Sequence, residues 1–143
     1  MKKNYTLLLL LAMALLGVAT QTKAQAPLTA PSIDLTFTTE DENAALLMRV
    51  TAPEDGCWID LNGDGQCQDN EKIPKGVEKS IINFPKSLTK TTIYGPITYL
   101  NLSKTALTSI DLSKINTLKE LWCYQTGIKK LDVTGQPNLE MLF

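Results

Sequence analysis

One short apolar frame recurs at nearly constant spacing through the last third of this 143-residue chain. The frame reads apolar-x-x-apolar-x-apolar, and its copies begin at Ile97, Leu107, Leu118, Ile128 and Leu139. The starts are 10, 11, 10 and 11 residues apart, so alternate copies repeat every 21 residues. An amphipathic helix, with about 3.6 residues per turn, does not sustain such a step. The pattern therefore predicts stacked repeat units, each holding two copies of the frame.

The frame also predicts which side chains lie inside the repeat units. The last two apolar positions of each copy point inward, because side chains alternate along a strand, and their neighbours point outward. The predicted interior residues are Leu100, Leu102, Ile110, Leu112, Leu121, Cys123, Leu131 and Val133. The outward aromatic residues are Tyr99, Trp122, Tyr124 and Phe143.

Trp122 and Phe143 lie 21 residues apart, so stacking of the repeat units places them side by side. Exposed aromatic side chains on one face are typical anchors for a protein or glycan partner. The alternative is that they pack on the preceding part of the chain, or only on each other. The sequence therefore predicts a partner-binding face, with that alternative open.

Residues 25–96 show the different pattern of short strands separated by turns. Apolar and polar residues alternate through 33–38 and 48–51, and further apolar runs follow at 57–59, 80–84 and 91–94. Proline and glycine interrupt these runs, as expected of turns. The fold class we predict is mainly β, with a small antiparallel β domain at 25–96 and the start of a solenoid at 97–143.

The repeats carry a resemblance to a known family. Residues 118–123 read L-K-E-L-W-C, while 107–113 and 128–134 read L-T-S-I-D-L-S and I-K-K-L-D-V-T. They resemble the internalin-like leucine-rich repeat proteins on the surfaces of oral and gut Gram-negative bacteria, which alternate L-x-x-L-x-C with L-x-x-L-D-V-S. Residues 58–71 also resemble the β region before such repeats. One departure is that Thr105 and Thr126 stand where the family has an asparagine that bonds neighbouring turns.

Residues 60–71 match the twelve-residue calcium loop at each ligand position. A hard cation needs several oxygens converging from a tight turn, and Gly65 stands at the sharp turn of the loop. The predicted ligands are Asp60, Asn62, Asp64, Gln66 through its carbonyl, Gln68 through water, and Glu71 with both oxygens. Calcium is therefore the predicted cofactor. The alternative is a polar hairpin turn, rich in Asn, Asp and Gly for backbone reasons alone.

Cys57 and Cys67 bracket this loop, and the signal peptide predicted for residues 1–24 directs the chain to an oxidising environment outside the cytoplasm. We predict a disulfide between them, although simple hairpin pairing places them diagonally, which is a demanding geometry. Cys123 occupies an interior position of the repeat frame. We therefore expect it to be a small buried hydrophobe.

The N-terminus has the three regions of a signal peptide: a positive start, an apolar run over 7–18 and a polar stretch ending in small residues. The run is shorter than the roughly 20 residues that span a bilayer. We predict cleavage after Ala24, because cleavage after Ala26 puts Pro27 at the scissile bond. The mature chain is then secreted, periplasmic or on the cell surface. It keeps 119 residues and a net charge of −4, which argues against nucleic-acid partners.

The chain has no histidine, which excludes Ser–His and Cys–His catalysis. The first functional prediction is a non-enzymatic surface protein that mediates protein binding or adhesion. The alternatives are a calcium-dependent carbohydrate-binding β module with vestigial repeats, or a non-functional truncated fragment of a longer surface protein. Just over two repeats are present, where a solenoid usually needs about three or more. We therefore expect truncation, or self-association or a partner at the open repeat end.

Overall fold

The computed structural model describes residues 30–143, which form nine strands and one short 3-10 turn at Asp69–Glu71. The signal peptide predicted for residues 1–24 lies outside the described residues. No helix within 30–143 is long and apolar enough to cross a membrane. The strands are β1 Ser32–Phe37, β2 Leu47–Thr51, β3 Trp58–Ile59, β4 Ser80–Asn83, β5 Lys90–Tyr94, β6 Tyr99–Asn101, β7 Leu107–Lys114, β8 Glu120–Trp122 and β9 Met141–Leu142.

A four-stranded antiparallel sheet has the order β3-β5-β1-β7. The predicted alternation is present in its central strand β1, where Ile33, Leu35 and Phe37 are buried. Side chains of successive strand residues point to opposite faces, so these three point to the same side of the sheet. The apolar spacing in this strand is thus the spacing of a sheet with one buried face.

A five-stranded mixed sheet has the order β4-β2-β6-β8-β9. β2 pairs antiparallel with β4 and with β6, whereas β6, β8 and β9 run parallel. The parallel register joins Leu100 to Leu121 and Leu121 to Leu142, so neighbouring strands are offset by the 21 residues of the sequence repeat. The frame copies that start at 97, 118 and 139 therefore form one ladder.

The other two frame copies do not form a second ladder, and the described residues form two small sheets and not a solenoid. Residues 107–114 form β7, which pairs antiparallel with β1 in the four-stranded sheet. Residues 128–133 form no strand. β7 therefore pairs with β1 through one edge, and residues 128–133 do not add a strand to its other edge.

The two sheets enclose a shared core that draws on both halves of the sequence. Its members include Ile33, Val50 and Ile93 from the first half and Leu100 and Leu118 from the second. Five of the eight predicted interior residues are buried: Leu100, Leu102, Ile110, Leu112 and Leu121. Cys123, Leu131 and Val133 are only partly buried, although they pack against the core, because the last turns of the chain have fewer neighbours.

Candidate functional site

The side of the five-stranded sheet that points away from the core is called here the outer face. The strand register places Ile81, Arg49, Asn101 and Trp122 in one row across β4, β2, β6 and β8. Phe143 extends the row, since its ring stacks on that of Trp122. The residues before and after these on each strand point inward, as the burial of Val50, Leu100 and Leu121 shows.

Three of the four predicted partner-binding residues form an aromatic group at the β8–β9 end of the outer face. The ring centres of Trp122 and Phe143 are 4.0 Å apart with an angle of 24° between the planes. Tyr124 meets Trp122 edge-on, with 6.4 Å between the ring centres. Tyr124 is 43% exposed and Phe143 is 51% exposed. The predicted juxtaposition of Trp122 and Phe143 is therefore present, and the group faces solvent.

Tyr99, the fourth predicted residue, is not part of this exposed group, since only 8% of it is accessible. The ammonium of Lys79 lies 5.0 Å from the centre of its ring, and the Asn101 amide donates a hydrogen bond to its hydroxyl. Lys79 is held there by its backbone N–H, which donates to the Thr51 hydroxyl. The turn before β4 thus covers Tyr99, which sequence spacing does not reveal.

The large apolar side chains that are exposed within residues 30–143 lie on or next to the five-stranded sheet. They are Leu46, Val77, Ile81, Tyr124, Met141, Leu142 and Phe143. Isolated exposed apolar residues are normal, but concentration on one sheet is typical of an interaction surface. Of these residues the sequence repeat indicated Tyr124 and Phe143, whereas those near β2 and β4 join the surface through strand pairing.

Arg49 lies in the middle of the outer row, and sequence reasoning did not single it out. Its strand partners are Ile81 on one side and Asn101 on the other. Its side chain is partly buried, and it makes none of the side-chain hydrogen bonds or ion pairs found within the described part of the chain. The alternation in 48–51 was the available signal, since it predicts that Arg49 points away from the core.

The predicted calcium loop has a closed conformation built around two buried carboxylates. Asp60 is 6% exposed and accepts hydrogen bonds from the N–H groups of Gly63, Asp64 and Gly65 at 2.7–3.2 Å. Glu71 is 1% exposed and accepts from the N–H groups of Leu61 and Gln68 at 2.8 and 3.1 Å. Both ends of the loop are therefore tied to its backbone, and the left-handed turns at Gly63 and Gly65 permit this.

The remaining predicted ligands lie on the exposed or partly exposed part of the loop. Asp64 accepts hydrogen bonds from the side-chain amides of Asn62 and Gln68 and from the backbone N–H of Gln66. Among residues 30–143 no three His, Cys, Asp or Glu side chains are grouped as metal ligands. A carboxylate has about four lone-pair sites, of which Asp60 uses three and Glu71 two. Acceptor capacity for a cation therefore remains on both.

The three cysteines are free thiols in the structure. Cys57 and Cys67 line the same cavity of about 590 Å³, together with Lys72, Ile73 and other neighbours. The Cys57 thiol donates to the carbonyl of Pro96, and burial raises its pKa to about 11. Burial also raises the pKa of Cys123, in keeping with a packing role. A bridge between Cys57 and Cys67 stays a prediction.

Comparison of the chain with protein-family models, with curated proteins and with solved structures finds no match.

Proposed function

We propose that this chain is an exported, non-enzymatic binding protein that engages its partner through the outer face of the five-stranded sheet. The observation that carries the proposal is the exposed aromatic group of Trp122, Tyr124 and Phe143. Aromatic side chains bury large areas at low entropic cost and dominate binding energies. The absence of histidine from the sequence, which excludes the common nucleophile–base pairs, is consistent with a role in binding.

The parallel ladder of β6, β8 and β9 fits the opening turns of a leucine-rich repeat array in this proposal. Its offset of 21 residues between register partners supports that reading. Backbone bonds join the turns beyond the strands, from Lys104 N–H to the Tyr124 carbonyl and from Cys123 N–H to the Phe143 carbonyl. A surface protein similar to the internalin-like proteins, acting in adhesion or protein binding, is the corresponding function.

Binding selections with the wild-type protein and two variants test the proposed surface. Mature protein is presented to a phage-displayed library of twelve-residue peptides and to a glycan microarray. Replacement of Trp122 by Ala is expected to lower binding at least tenfold, because it removes the central ring of the group. Lys90→Ala, at an exposed position of the four-stranded sheet, serves as the control and leaves binding unchanged. Ligands that bind the Trp122→Ala variant with the same affinity as the wild type contradict the proposal.

A second candidate function is a calcium-dependent carbohydrate-binding module built on the 60–71 loop. The burial of Asp60 and Glu71, with acceptor capacity left on each, favours it. Among residues 30–143, neither carboxylate forms an ion pair with a lysine or arginine, which leaves their charge available to a cation in this proposal. Extracellular calcium sites with affinities of roughly 10⁻⁴–10⁻³ M are known, so weak binding suffices there.

Calorimetric titration of the mature protein with calcium tests this loop, and Asp69 offers a matched control. Asp69 lies in the same loop but at no ligand position, and it pairs with Lys72 at the surface. Wild type and Asp69→Ala are expected to give the same binding heat, and Asp64→Ala none. Equal binding heats for wild type and Asp64→Ala would contradict calcium binding by this loop. Glycan-array signals that persist in the presence of a chelator would contradict calcium-dependent carbohydrate binding.

A further inference from the structure

The charged groups of the outer face have different surroundings. Lys79, which covers Tyr99, lines a pocket together with Glu78, Lys119 and Glu120, so charges of both signs lie together there. One carboxylate oxygen of Glu120 also accepts a hydrogen bond from the Trp122 indole. Arg49 lies between Ile81 and Asn101 and does not line that pocket.

Arg49 is the group on this face that most requires a partner. A guanidinium has five N–H donors, and within the described residues its side chain donates to no acceptor. Partial burial between Ile81 and Asn101 leaves it with fewer directions from which water can approach. Arginine is enriched, with tryptophan and tyrosine, among residues that dominate protein interfaces, and it binds carboxylates in a bidentate fork.

We propose that the outer face binds an acidic segment of another protein, with a carboxylate on Arg49 and an apolar side chain against Trp122 and Phe143. This inference rests on the proposed function and specifies the partner of the same surface. Arg49 has no acidic partner among residues 30–143, whereas Lys79 shares its pocket with Glu78, so we place the carboxylate on Arg49.

The stacking of Trp122 and Phe143 removes ring faces that a glycan would use. A pyranose ring packs on the open face of an aromatic ring. Trp122 and Phe143 are stacked face to face with 4.0 Å between ring centres, so each covers one face of the other, and Tyr124 meets Trp122 edge-on. Ring edges carry positive partial charge and suit carbonyl oxygens and the faces of partner aromatic side chains. The group therefore offers a protein segment more contacts than it offers a sugar ring.

The strand order also predicts the spacing of the recognised groups. Arg49 on β2 and Trp122 on β8 are separated by β6 alone, so their strands lie about 10 Å apart at the usual strand spacing. An extended peptide advances about 3.3 Å per residue. A segment crossing the strands therefore places its acid and its apolar anchor about three residues apart.

The composition of selected peptides tests this inference. Wild-type protein, Arg49→Gln, Trp122→Ala and the control Lys90→Ala are each used to select from the twelve-residue phage library. Peptides selected by wild type are expected to carry Asp or Glu about three residues from an aromatic or aliphatic residue. Synthetic copies of the selected peptides are then titrated against each variant. Compared with wild type, Arg49→Gln is expected to bind them at least tenfold more weakly, Arg49→Lys to recover part of the affinity, and Lys90→Ala to bind them unchanged. Thermal unfolding of each variant confirms that it is folded.

The outcomes separate this inference from the proposed function. The inference is overturned if the selected peptides are apolar, lack acidic residues and bind Arg49→Gln with the same affinity as wild type. That result is still compatible with the proposed binding function of the aromatic group. Glycan-array binding that depends on Trp122, with no peptide enriched, overturns it in favour of a carbohydrate partner. Binding that depends on neither Arg49 nor Trp122 overturns both.

Discussion

Leu121 and Leu142 are register partners on β8 and β9, yet their surroundings differ. Leu121 is fully buried between the two sheets, whereas Leu142 is 47% exposed at the edge of the ladder. The same residue type at the same position of the repeat therefore contributes differently to stability. The two leucines form a matched pair for measuring how much burial inside the ladder contributes to the free energy of unfolding.

Leu121→Ala is expected to lower the free energy of unfolding by about 2–5 kcal/mol, as other large-to-small changes in cores do. Leu142→Ala is expected to lower it by much less, because the side chain already contacts solvent. Chemical denaturation of both variants supplies the measurement. An unchanged midpoint for Leu121→Ala would mean that the interior of the repeat frame has been misassigned.

Gly95 shows a backbone requirement that is invisible in the repeat pattern. It has φ of +96°, and an added Cβ would lie 2.6 Å from the Cys57 sulfur. Gly95→Ala is therefore expected to destabilise the fold by about 1–3 kcal/mol through strain and overpacking. Gly135→Ala, where a Cβ meets no atom within 4 Å, is the control and is expected to be close to neutral. Equal unfolding midpoints for the two variants would contradict the close approach at Gly95.

At the scale of elements, the threonines at the positions where the internalin-like proteins have asparagine form bonds within their own turns. Thr105 donates its hydroxyl proton to the Leu102 carbonyl, and Thr126 does the same to the Cys123 carbonyl. The side-chain hydrogen bonds between turns come from other residues. Gln136 donates to the carbonyls of Leu112 and Ile115, which lie 24 and 21 residues earlier. These side-chain bonds therefore add to the backbone ladder and were not indicated by the sequence frame.

The strand β9 is an edge of the five-stranded sheet, with Met141, Leu142 and Phe143 exposed beside it. Uncovered apolar edges pair with other chains unless charge protects them, and Glu140 is the charged residue beside the strand. We expect the mature form of this 143-residue chain to self-associate through residues 139–143.

Replacing Leu142 by Lys, or deleting residues 139–143, is expected to raise the monomer fraction measured by light scattering over a concentration series. Val77→Lys is a matched control, because Val77 is also 47% exposed but lies beside β4 at the opposite edge. It is expected to leave the association unchanged. A stable monomer at high concentration with the native residues 139–143 would disprove the role of this edge.

At the scale of the whole molecule, the two sheets interlock across the predicted boundary between residues 96 and 97. β7 completes the four-stranded sheet, and β6 joins the five-stranded sheet through β2. Residues 30–143 are therefore expected to unfold in one cooperative transition, with equal calorimetric and van't Hoff enthalpies. Two separate transitions would show that residues 25–96 and 97–143 fold independently.

The proposed export has its own test at this scale. The protein recovered from outside the cytoplasm is expected to begin at Gln25, or at Pro27 if cleavage follows Ala26. Intact-mass measurement distinguishes the two. A mass that retains Met1 would contradict cleavage and with it the exported role.

Most strand positions and the 21-residue offset of the parallel ladder follow from the local sequence, although the frame copy at 128–133 forms no strand. Alternation and periodicity record which face of a strand is buried, and this information is local. The pairing of β7 with β1, the covering of Tyr99 by Lys79 and the place of Arg49 in the outer row were decided only by the tertiary structure. Each depends on which distant edges meet, because a strand edge can pair with any other edge of suitable length and register. The apolar pattern is the same for all of these pairings, so the packing of the two sheets around one core selects among them.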